Sequence, residues 1–342
     1  MPRRPRWLFL PVPALAATPR FVGMRIVIAL GGNAMTSPDG SASVSDQQTA
    51  IAGACAHIAD LVVDGHDVVI THGNGPQVGN LLVKNELGAS VVPPVPLDWC
   101  GAQTQATIGM TVMNALEAAL HERGVERPTA TLVSRTLVDA DDPHFAEPSK
   151  PIGRYLSEAD ARVMIDHGQH FVEVPDRGWR RVVASPEPLE CLDAPAADVL
   201  LGAGYVVVCS GGGGIPTVRR PDGSLTGVEA VIDKDLTAAL IAEHVAADML
   251  VIATDVEHAM TGFGTDQAEP IGEVTAAQMR RIAAQQHFAA GSMGPKIEAV
   301  TRFAERARRT GVITSLAHIS RAVDGHAGTH VVPDQPPVPG WP

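Results

Sequence analysis

The 342-residue chain is 45% hydrophobic and carries a formal net charge of −12 at pH 7. This length and apolar content suffice for a large α/β core, whereas the acidic balance argues against a nucleic acid or an anionic membrane as a partner. No apolar run reaches the length that spans a bilayer. We therefore predict a cytoplasmic protein without membrane or nucleic-acid partners.

The two ends of the chain differ from the rest in composition. Residues 1–23 combine arginines with a short apolar stretch, as a signal peptide does, but Pro11 and Pro13 interrupt it and a complete strand pattern follows at once. We predict a disordered extension over 1–23, with export as the alternative, and a proline-rich, unstructured tail over 334–342. Residues 24–333 would then form the folded domain.

The cysteines give no sign of a metal site or a disulfide framework. They are far apart in the sequence and form no C-x-x-C pair. We predict that all four are buried, reduced thiols: Cys55, Cys100, Cys191 and Cys209.

Three apolar, β-branched runs each end in a glycine-rich turn, at residues 26–33, 68–75 and 206–214. Such runs are typical of buried strands in a parallel sheet, whose carboxyl ends form binding sites. Glycine allows backbone N–H groups to come close to a ligand, and a following helix N-terminus favours an anion. An ordinary strand-to-helix turn explains any single loop, but the three together predict an anionic substrate held largely by main chain.

Helical patterns separate the first strands. Apolar residues recur at helical spacing over 45–64, Pro76 suits the first turn of a second helix, and residues 101–123 predict a third, before a strand at 129–133. Alternation of strand and helix predicts an α/β fold with right-handed βαβ units and a mainly parallel sheet.

The pattern changes between residues 138 and 188, where prolines interrupt it. Two short β patterns, at 171–174 and 179–183, flank a turn and predict a β-hairpin. We interpret 138–188 as an inserted subdomain that projects over the glycine loops and acts as a lid.

The alternation resumes at Leu189. We predict a small hairpin turning at 221–223, helices at 234–246 and 295–308, and strands at 205–209, 249–253, 312–314 and 330–332.

Three lysines stand where an anion site needs positive charge. Lys234 lies between two aspartates at a helix start, Lys296 follows Pro295 at another, and Lys150 stands between two prolines in the inserted segment. Asp235 is placed to hold a lysine in position. Taken singly, each lysine is better explained as a solvated surface charge. A bound phosphate would explain why all three lysines occur at such positions.

Sequence signatures of other nucleotide and hydrolase sites are missing. The chain contains no G-x-x-x-x-G-K-[ST] and no G-x-S-x-G motif. The glycines at positions 73, 75 and 79 have one residue too many for the dinucleotide fingerprint.

From residue 24 to about 333 the chain resembles the carbamate kinases of the amino acid kinase family. The resemblance rests on ALGGNA at 29–34, HGNGPQVGN at 72–80, PLD at 96–98, the segment around Lys150, GWRRVV at 178–183, the four-glycine loop, and the runs 227–235 and 287–298. The inserted segment with its lysine is typical of carbamate kinases rather than of acetylglutamate kinase or aspartokinase.

The resemblance implies the amino acid kinase fold, which is a three-layer αβα sandwich, and a homodimer. It implies reversible phosphoryl transfer in arginine metabolism, in which ATP and carbamate give ADP and carbamoyl phosphate with Mg²⁺. We assign no side chain of this chain as a metal ligand.

The resemblance also assigns roles to residues by matching motifs. Lys234 and Lys296 would grip the transferring phosphoryl group, Asp235 would orient them, and Lys150 would reach in from the lid. The phosphoryl and carbamate site would be lined by Gly31, Gly32, Asn33, Gly73, Asn74 and Gly75. The nucleotide would be bordered by Gly211, Gly212, Gly213, Thr254, Asp255, Val256, Phe263 and Gly264.

The chain departs from the family pattern in three places. Met110 replaces a usual tyrosine, the loop 263–266 reads Phe-Gly-Thr-Asp where Tyr-Gly-Lys-Pro is common, and Glu187 stands between prolines where a lysine is common. Two alternatives to carbamate kinase remain open. One is a kinase for another small carboxylate or phosphonate, and the other is a non-catalytic nucleotide-binding relative.

Overall fold

The computed structural model describes residues 23–32, 43–88, 91–166, 168–285, 288 and 293–334 of the chain. Asn33, the predicted extension up to residue 22 and the tail from residue 335 lie outside these residues. What was predicted for them therefore stays a prediction.

The strands in the described residues are, in chain order, β1 (Arg25–Leu30), β2 (Asp67–His72), β3 (Thr129–Thr131), β4 (Arg135–Val138), β5 (Lys150–Leu156), β6 (Phe171–Val174), β7 (Gly178–Val183), β8 (Pro188–Cys191), β9 (Val206–Val208), β10 (Ile215–Arg219), β11 (Leu225–Gly227), β12 (Met249–Thr254), β13 (Met260–Thr261), β14 (Glu269–Pro270), β15 (Glu273–Thr275), β16 (Thr310–Ser315) and β17 (Thr329–Val332). The helices are α1 (Val44–Val63), α2 (Gly75–Gly88), α3 (Leu97–Glu122), α4 (Glu158–Asp166), α5 (Ala194–Gly202), α6 (Lys234–His244), α7 (Ala276–Gln285), α8 (Met293–Arg306) and α9 (Ile319–Val323).

The central sheet has eight strands in the order β15–β17–β16–β12–β1–β2–β9–β3. The strands from β16 to β3 pair in parallel, and only β17 is antiparallel to its neighbour β16. The predicted mainly parallel sheet is confirmed. Because Leu30 pairs with both Ala253 and His72, the carboxyl ends of β1, β2 and β12 lie at one edge of the sheet.

Alternate side chains of the central strands enter two cores, one on each face of the sheet. In β1, Ile26, Ile28 and Leu30 join the core under α1, α3 and α9. Val27 and Ala29 join the core under α5, α6, α7 and α8. Burial on both faces is the reason these strands are continuous apolar runs in the sequence. The three-layer αβα sandwich implied by the resemblance is confirmed.

The segment between β4 and β8 forms a sheet of its own. Its strands pair antiparallel in the order β5–β7–β6, and β6 with β7 makes the predicted hairpin. A further sheet, β11–β10–β4–β8, contains the strands on either side of this segment, together with the predicted hairpin at 221–223.

The start of α3 was predicted wrongly. The helix begins at Leu97, four residues before the predicted Gly101. Asp98 lies in its first turn, where the N-terminal dipole favours a carboxylate, so the helix extends back to the prolines.

The helices and the cysteines agree with the broad class of protein expected from the sequence. None of the helices in the described residues is long and apolar enough to cross a membrane. All four cysteines are free and buried, as predicted.

Candidate active site

The glycine loops after β1 and β2 lie directly against each other. The Gly31 N–H donates to the Ala253 carbonyl at 2.9 Å, and the Gly73 N–H donates to the Leu30 carbonyl at 3.1 Å. A Cβ on Gly73 would lie 3.3 Å from the Gly32 Cα. The expectation that glycine N–H groups face a ligand is therefore wrong for Gly31 and Gly73, since both extend the sheet ladders. Their missing side chains let the two loops approach.

The four-glycine loop after β9 adopts a conformation that requires glycine. Ser210 has a φ of 59°, and Gly212, Gly213 and Gly214 have φ values of 68°, 89° and 91°. A Cβ on Gly211 would collide with the His72 ring, and one on Gly212 with the Asn74 carboxamide. The loops after β2 and β9 are thus in contact. Within the described part of the chain the Gly211 and Gly212 N–H groups make no hydrogen bond, and consecutive N–H groups in such a turn form an anion-binding concavity.

Three polar side chains that the sequence did not single out as site residues hold this loop. Buried Gln105 of α3 donates to the Gly211 carbonyl at 3.0 Å and accepts from the Ser134 N–H at 2.7 Å. Thr136 and Thr237 both donate to the Gly213 carbonyl, at 2.8 and 3.0 Å. Only the long-range fold brings these residues to the loop.

Asn74 is also held in place. Its Nδ2 donates to Thr104 Oγ1 at 2.9 Å, and Thr104 in turn donates to the Gly101 carbonyl at 2.8 Å. Gly75 is the first residue of α2, so the helix N-terminus begins next to Asn74. This end of α2 carries a partial positive charge that suits a small anion.

Two of the predicted lysines meet on one buried carboxylate. Lys234 Nζ pairs with Asp235 Oδ1, and Lys296 Nζ lies 3.0 Å from Asp235 Oδ2. Asp235 is 3% exposed, whereas the two lysine side chains keep 13% and 12% exposure. We call these three residues the lysine cluster. It carries one net positive charge.

The Asp235 carboxyl group stays charged despite being buried. Burial by itself raises the pKa of Asp235, but the ammonium groups of Lys234 and Lys296 outweigh it and hold this pKa below its ordinary value. The carboxylate is therefore ionised at neutral pH. It lies between the two ammonium groups and holds them at a set separation.

The start of α6 ties the lysine cluster to the four-glycine loop. Asp233 caps the helix by accepting from the Asp235 N–H at 2.9 Å. A Cβ on Gly213 would lie 2.6 Å from the Ile232 carbonyl oxygen, so the loop touches the residues that lead into α6. Lys296 lies in the first turn of α8, and two helix starts thus meet here.

Lys150 reaches the same place from the separate three-stranded sheet. It is the first residue of β5, paired with Val183, and its Nζ lies 3.7 Å from Asp233 Oδ2. Only four of the chain's 26 lysines and arginines are lysines. Three of them lie at this site, and the fourth, Lys84, is exposed on α2. Arginine supplies positive charge elsewhere, so the compact ammonium group is concentrated where a small anion would bind.

The residues predicted to border a nucleotide fall into two groups. Thr254 ends β12 beside Gly31, and a Cβ placed on Gly31 would lie 3.7 Å from the Thr254 Cα. The Thr254 hydroxyl donates to Asp255 Oδ1 at 3.0 Å. Val256 follows, half-buried. Phe263 and Gly264 lie between β13 and β14, where Phe263 is 78% exposed. The structure describes no contact between Phe263 and the lysine cluster.

His72 is the buried histidine of the site. Burial, aided by the Lys234 ammonium and opposed by a hydrogen bond to the Gly73 carbonyl, lowers the pKa of His72 to about 4. The imidazole is therefore neutral at pH 7. It fills space beneath Gly211 and does not offer a proton to a ligand.

The buried His72 predicts a specific pH dependence of stability. The unfolded chain protonates this histidine near its ordinary pKa of 6.5, whereas the folded chain resists protonation down to about pH 4. The stability that the neutral His72 contributes to the folded state is present above pH 6.5 and is lost as the pH falls towards 4. Between pH 7.5 and pH 5, we expect this residue to account for a loss of about 2 kcal/mol in the free energy of unfolding.

Urea unfolding of the parent protein and of His72→Gln at both pH values measures this contribution. The drop should be smaller in His72→Gln, while exposed His326→Gln keeps the drop of the parent. Equal drops in the parent and in His72→Gln would contradict the prediction.

Comparisons with known proteins agree with this geometry. The model of the amino acid kinase family matches residues 24–315. Carbamate kinase of Thermococcus kodakarensis is 44% identical over 312 residues, which cover 90% of this chain and 99% of that protein. The carbamate kinase-like protein YqeA of Escherichia coli is 40% identical, over 89% of this chain and 98% of its own length.

A solved structure gives the same result. Carbamate kinase from Giardia lamblia bound to AMP-PNP superposes with a TM-score of 0.88 at 36% identity, covering 92% of this chain and 99% of that one. The chain therefore belongs to the amino acid kinase family, in the carbamate kinase group that its glycine loops and lysines indicated.

Proposed function

We propose that this protein is a carbamate kinase that transfers a phosphoryl group reversibly between ATP and carbamate, giving ADP and carbamoyl phosphate. One observation carries the proposal. The ammonium groups of Lys234 and Lys296 lie on the two oxygens of the buried Asp235 carboxylate, at the sheet edge where the glycine loops meet. The names of the relatives and of the solved Giardia structure support the same reaction.

The lysine cluster suits phosphoryl transfer because this reaction needs positioning and charge neutralisation more than covalent help. Lys234 and Lys296 would bind the oxygens of the transferring group, and Asp235 would keep both ammonium groups aimed at it. Carbamate is already an oxyanion, so no general base is needed. A neutral, buried His72 fits a mechanism of this kind.

The substrates would lie on either side of the lysine cluster. The unused N–H groups of Gly211 and Gly212 would receive nucleotide phosphate oxygens, with Thr254, Asp255 and Val256 farther along the same edge. Asn74, held by Thr104, would bind carbamate near the positive N-terminus of α2. Gly31, Gly32 and Gly73 would provide room for both.

Mg²⁺ would accompany the nucleotide. In the described residues no three His, Cys, Asp or Glu side chains are gathered as a metal site. Asp235 is occupied by two lysines, whereas the Asp233 side chain keeps 18% exposure beside Lys150. Asp233 is the carboxylate that would bind the ion, with phosphate and water as the other ligands, as is usual for Mg²⁺. When bound, the ion would neutralise phosphate charge.

The deciding experiment is an assay of ATP formation from ADP, Mg²⁺ and carbamoyl phosphate with the purified protein. We expect turnover that depends on carbamoyl phosphate. Turnover with acetylglutamate or aspartate and ATP, but not with carbamate, would favour a kinase for another carboxylate. Binding of ADP without any turnover would favour a non-catalytic relative.

Lys150→Ala tests the lid role of the inserted segment. Lys150 lies at 3.7 Å from the cap of α6 but outside the lysine cluster itself, so its loss should lower kcat by roughly tenfold or more while ADP still binds nearly normally. Calorimetry for ADP and the coupled assay measure the two effects. Unchanged kcat would mean that Lys150 is merely solvated.

Gly212→Ala tests the four-glycine loop. A methyl group there would collide with Asn74 at a φ of 68°, so we expect a loss of about 1–3 kcal/mol in stability together with impaired turnover. Gly53→Ala, at an exposed position of α1 with open space around it, is the control and should stabilise the protein by about 0.5–1 kcal/mol. Parental turnover in Gly212→Ala would contradict the role given to the loop.

The assembly and the cellular location remain part of the proposal. The family resemblance supports a homodimer, which light scattering of the purified protein would measure. A cytoplasmic location fits an enzyme that uses ATP, and fractionation of cells that express the full chain would test it.

A further inference from the structure

The base of the inserted segment is held at Glu187, in the short connection between β7 and β8. The flanking Pro186 and Pro188 are both buried and restrict the backbone there. The Glu187 N–H donates to Asp142 Oδ2 at 2.9 Å, and Asp142 belongs to the stretch that enters the segment. Glu187 is therefore fixed to both chain passages at this base.

The Glu187 side chain extends to the helix that carries Lys296. It pairs with the Arg302 Nη1 of α8, and the Arg302 Nε donates to Glu298 Oε1 at 2.5 Å. Glu298 also pairs with Arg280 of α7. Arg302 is thus held from one side by its own helix and from the other by the base of the inserted segment.

Both partners of the Glu187–Arg302 ion pair are linked to the lysine cluster. Lys296 lies less than two turns before Arg302 on α8. Three residues before Glu187, the Ala184 carbonyl accepts from the Val231 N–H at 3.0 Å, and Val231 precedes Lys234 by three residues. Lys150 pairs with Val183, adjacent to Ala184. A shift of the base relative to α8 would therefore change the distance between Lys150 and the cluster.

We propose that Glu187 is a positioning residue, whose ion pair with Arg302 sets how closely Lys150 approaches the Lys234–Asp235–Lys296 cluster. The proposal rests on the proposed function. A lysine, which is common at this position in the family, would face Arg302 with like charge. The Glu187–Arg302 ion pair is thus a property of this chain.

Stability alone would not reveal such a role. The side chains of Glu187 and Arg302 are 44% and 25% exposed, and ion pairs of this exposure contribute little to the free energy of unfolding. We therefore expect Glu187→Gln to melt close to the parent. Its effect should appear in the position of Lys150 and in kcat.

Labelling of lysines by acetic anhydride reports the position of Lys150 without any assay of activity. With only four lysines in the chain, mass spectrometry follows each one separately. In Glu187→Gln we expect Lys150 to react roughly threefold faster, because a loosened base exposes its ammonium group, while exposed Lys84 reacts as in the parent. Glu305→Gln is the matched control. Glu305 also lies on α8, is 37% exposed and pairs with Arg280 of α7, but it makes no contact with the described residues of the inserted segment.

Kinetics and a double-mutant cycle complete the test. Glu187→Gln should lower kcat by about threefold to tenfold with an unchanged KM for ADP, and Glu187→Gln combined with Arg302→Gln should lose less than the product of the single losses. Parental kcat and parental Lys150 labelling in Glu187→Gln would overturn the inference. So would equal effects in Glu305→Gln. A parent protein without turnover would refute the proposed function, whereas the labelling comparison would still decide the role of Glu187.

Discussion

Replacing Lys234 or Lys296 by alanine is expected to lower kcat by ~10²–10⁴ while the protein still folds. Each ammonium group lies on Asp235 in a mostly buried cluster, where under the proposed function its positive charge would act on the transferring phosphoryl group with little screening by water. Such a loss corresponds to about 3–5 kcal/mol of transition-state stabilisation. The coupled assay of ATP formation measures it.

The lysine variants need a control and a check of folding. Lys84→Ala removes the one lysine outside the site and should turn over like the parent. The double variant should lose less than the product of the single losses, because both lysines would act on one phosphoryl group. Near-parental rates in both single variants, with circular dichroism unchanged, would refute the assignment of the cluster.

Asp235→Asn is expected to have the second largest effect, on stability as well as on turnover. The substitution leaves two ammonium groups side by side without the buried carboxylate that compensates them. Removing one partner of a buried ion pair is costly, and we expect a loss of about 2–4 kcal/mol, because the lysines keep some access to water. Turnover should fall as well, since the ammonium groups lose the group that aims them.

Urea unfolding with and without inorganic phosphate separates this explanation from a general packing defect. Phosphate should stabilise Asp235→Asn more than the parent, because the anion takes the place of the missing carboxylate between the lysines. Asp60→Asn is the control, since Asp60 forms a partly exposed ion pair with Arg123 and its loss should cost at most about 1 kcal/mol. An Asp235→Asn protein as stable as the parent, with no larger response to phosphate, would contradict the prediction.

Much of the fold could be predicted because its strongest signals are local. The strands Arg25–Leu30, Asp67–His72 and Val206–Val208 are buried on both faces, so each appears in the sequence as one apolar run. Each run ends in glycine because the next loop passes close to another loop. The helix bounds were less certain where caps are not distinctive, and α3 begins four residues earlier than its pattern indicated.

The family could also be identified from the sequence, because the glycine loops and the residues around Lys150, Lys234 and Lys296 occur as specific strings in a fixed order. What each lysine does could not be inferred from its own neighbours. A lysine beside an aspartate at a helix start is by itself better explained as a solvated charge. Only the convergence of α6, α8 and β5 distinguishes the two interpretations.

The sequence by itself thus determined the α/β class, the order of the elements, the buried cysteines and the family. The tertiary structure alone decided that Asp235 pairs with both Lys234 and Lys296, which lie 62 residues apart in the sequence. It alone also decided that Gln105 holds the Gly211 loop. It also decided that the Gly31 and Gly73 N–H groups serve the sheet and not a ligand. The physical reason is range: strand burial and glycine turns depend on neighbours along the chain, whereas hydrogen bonds and ion pairs join residues that only the completed fold brings within a few ångströms.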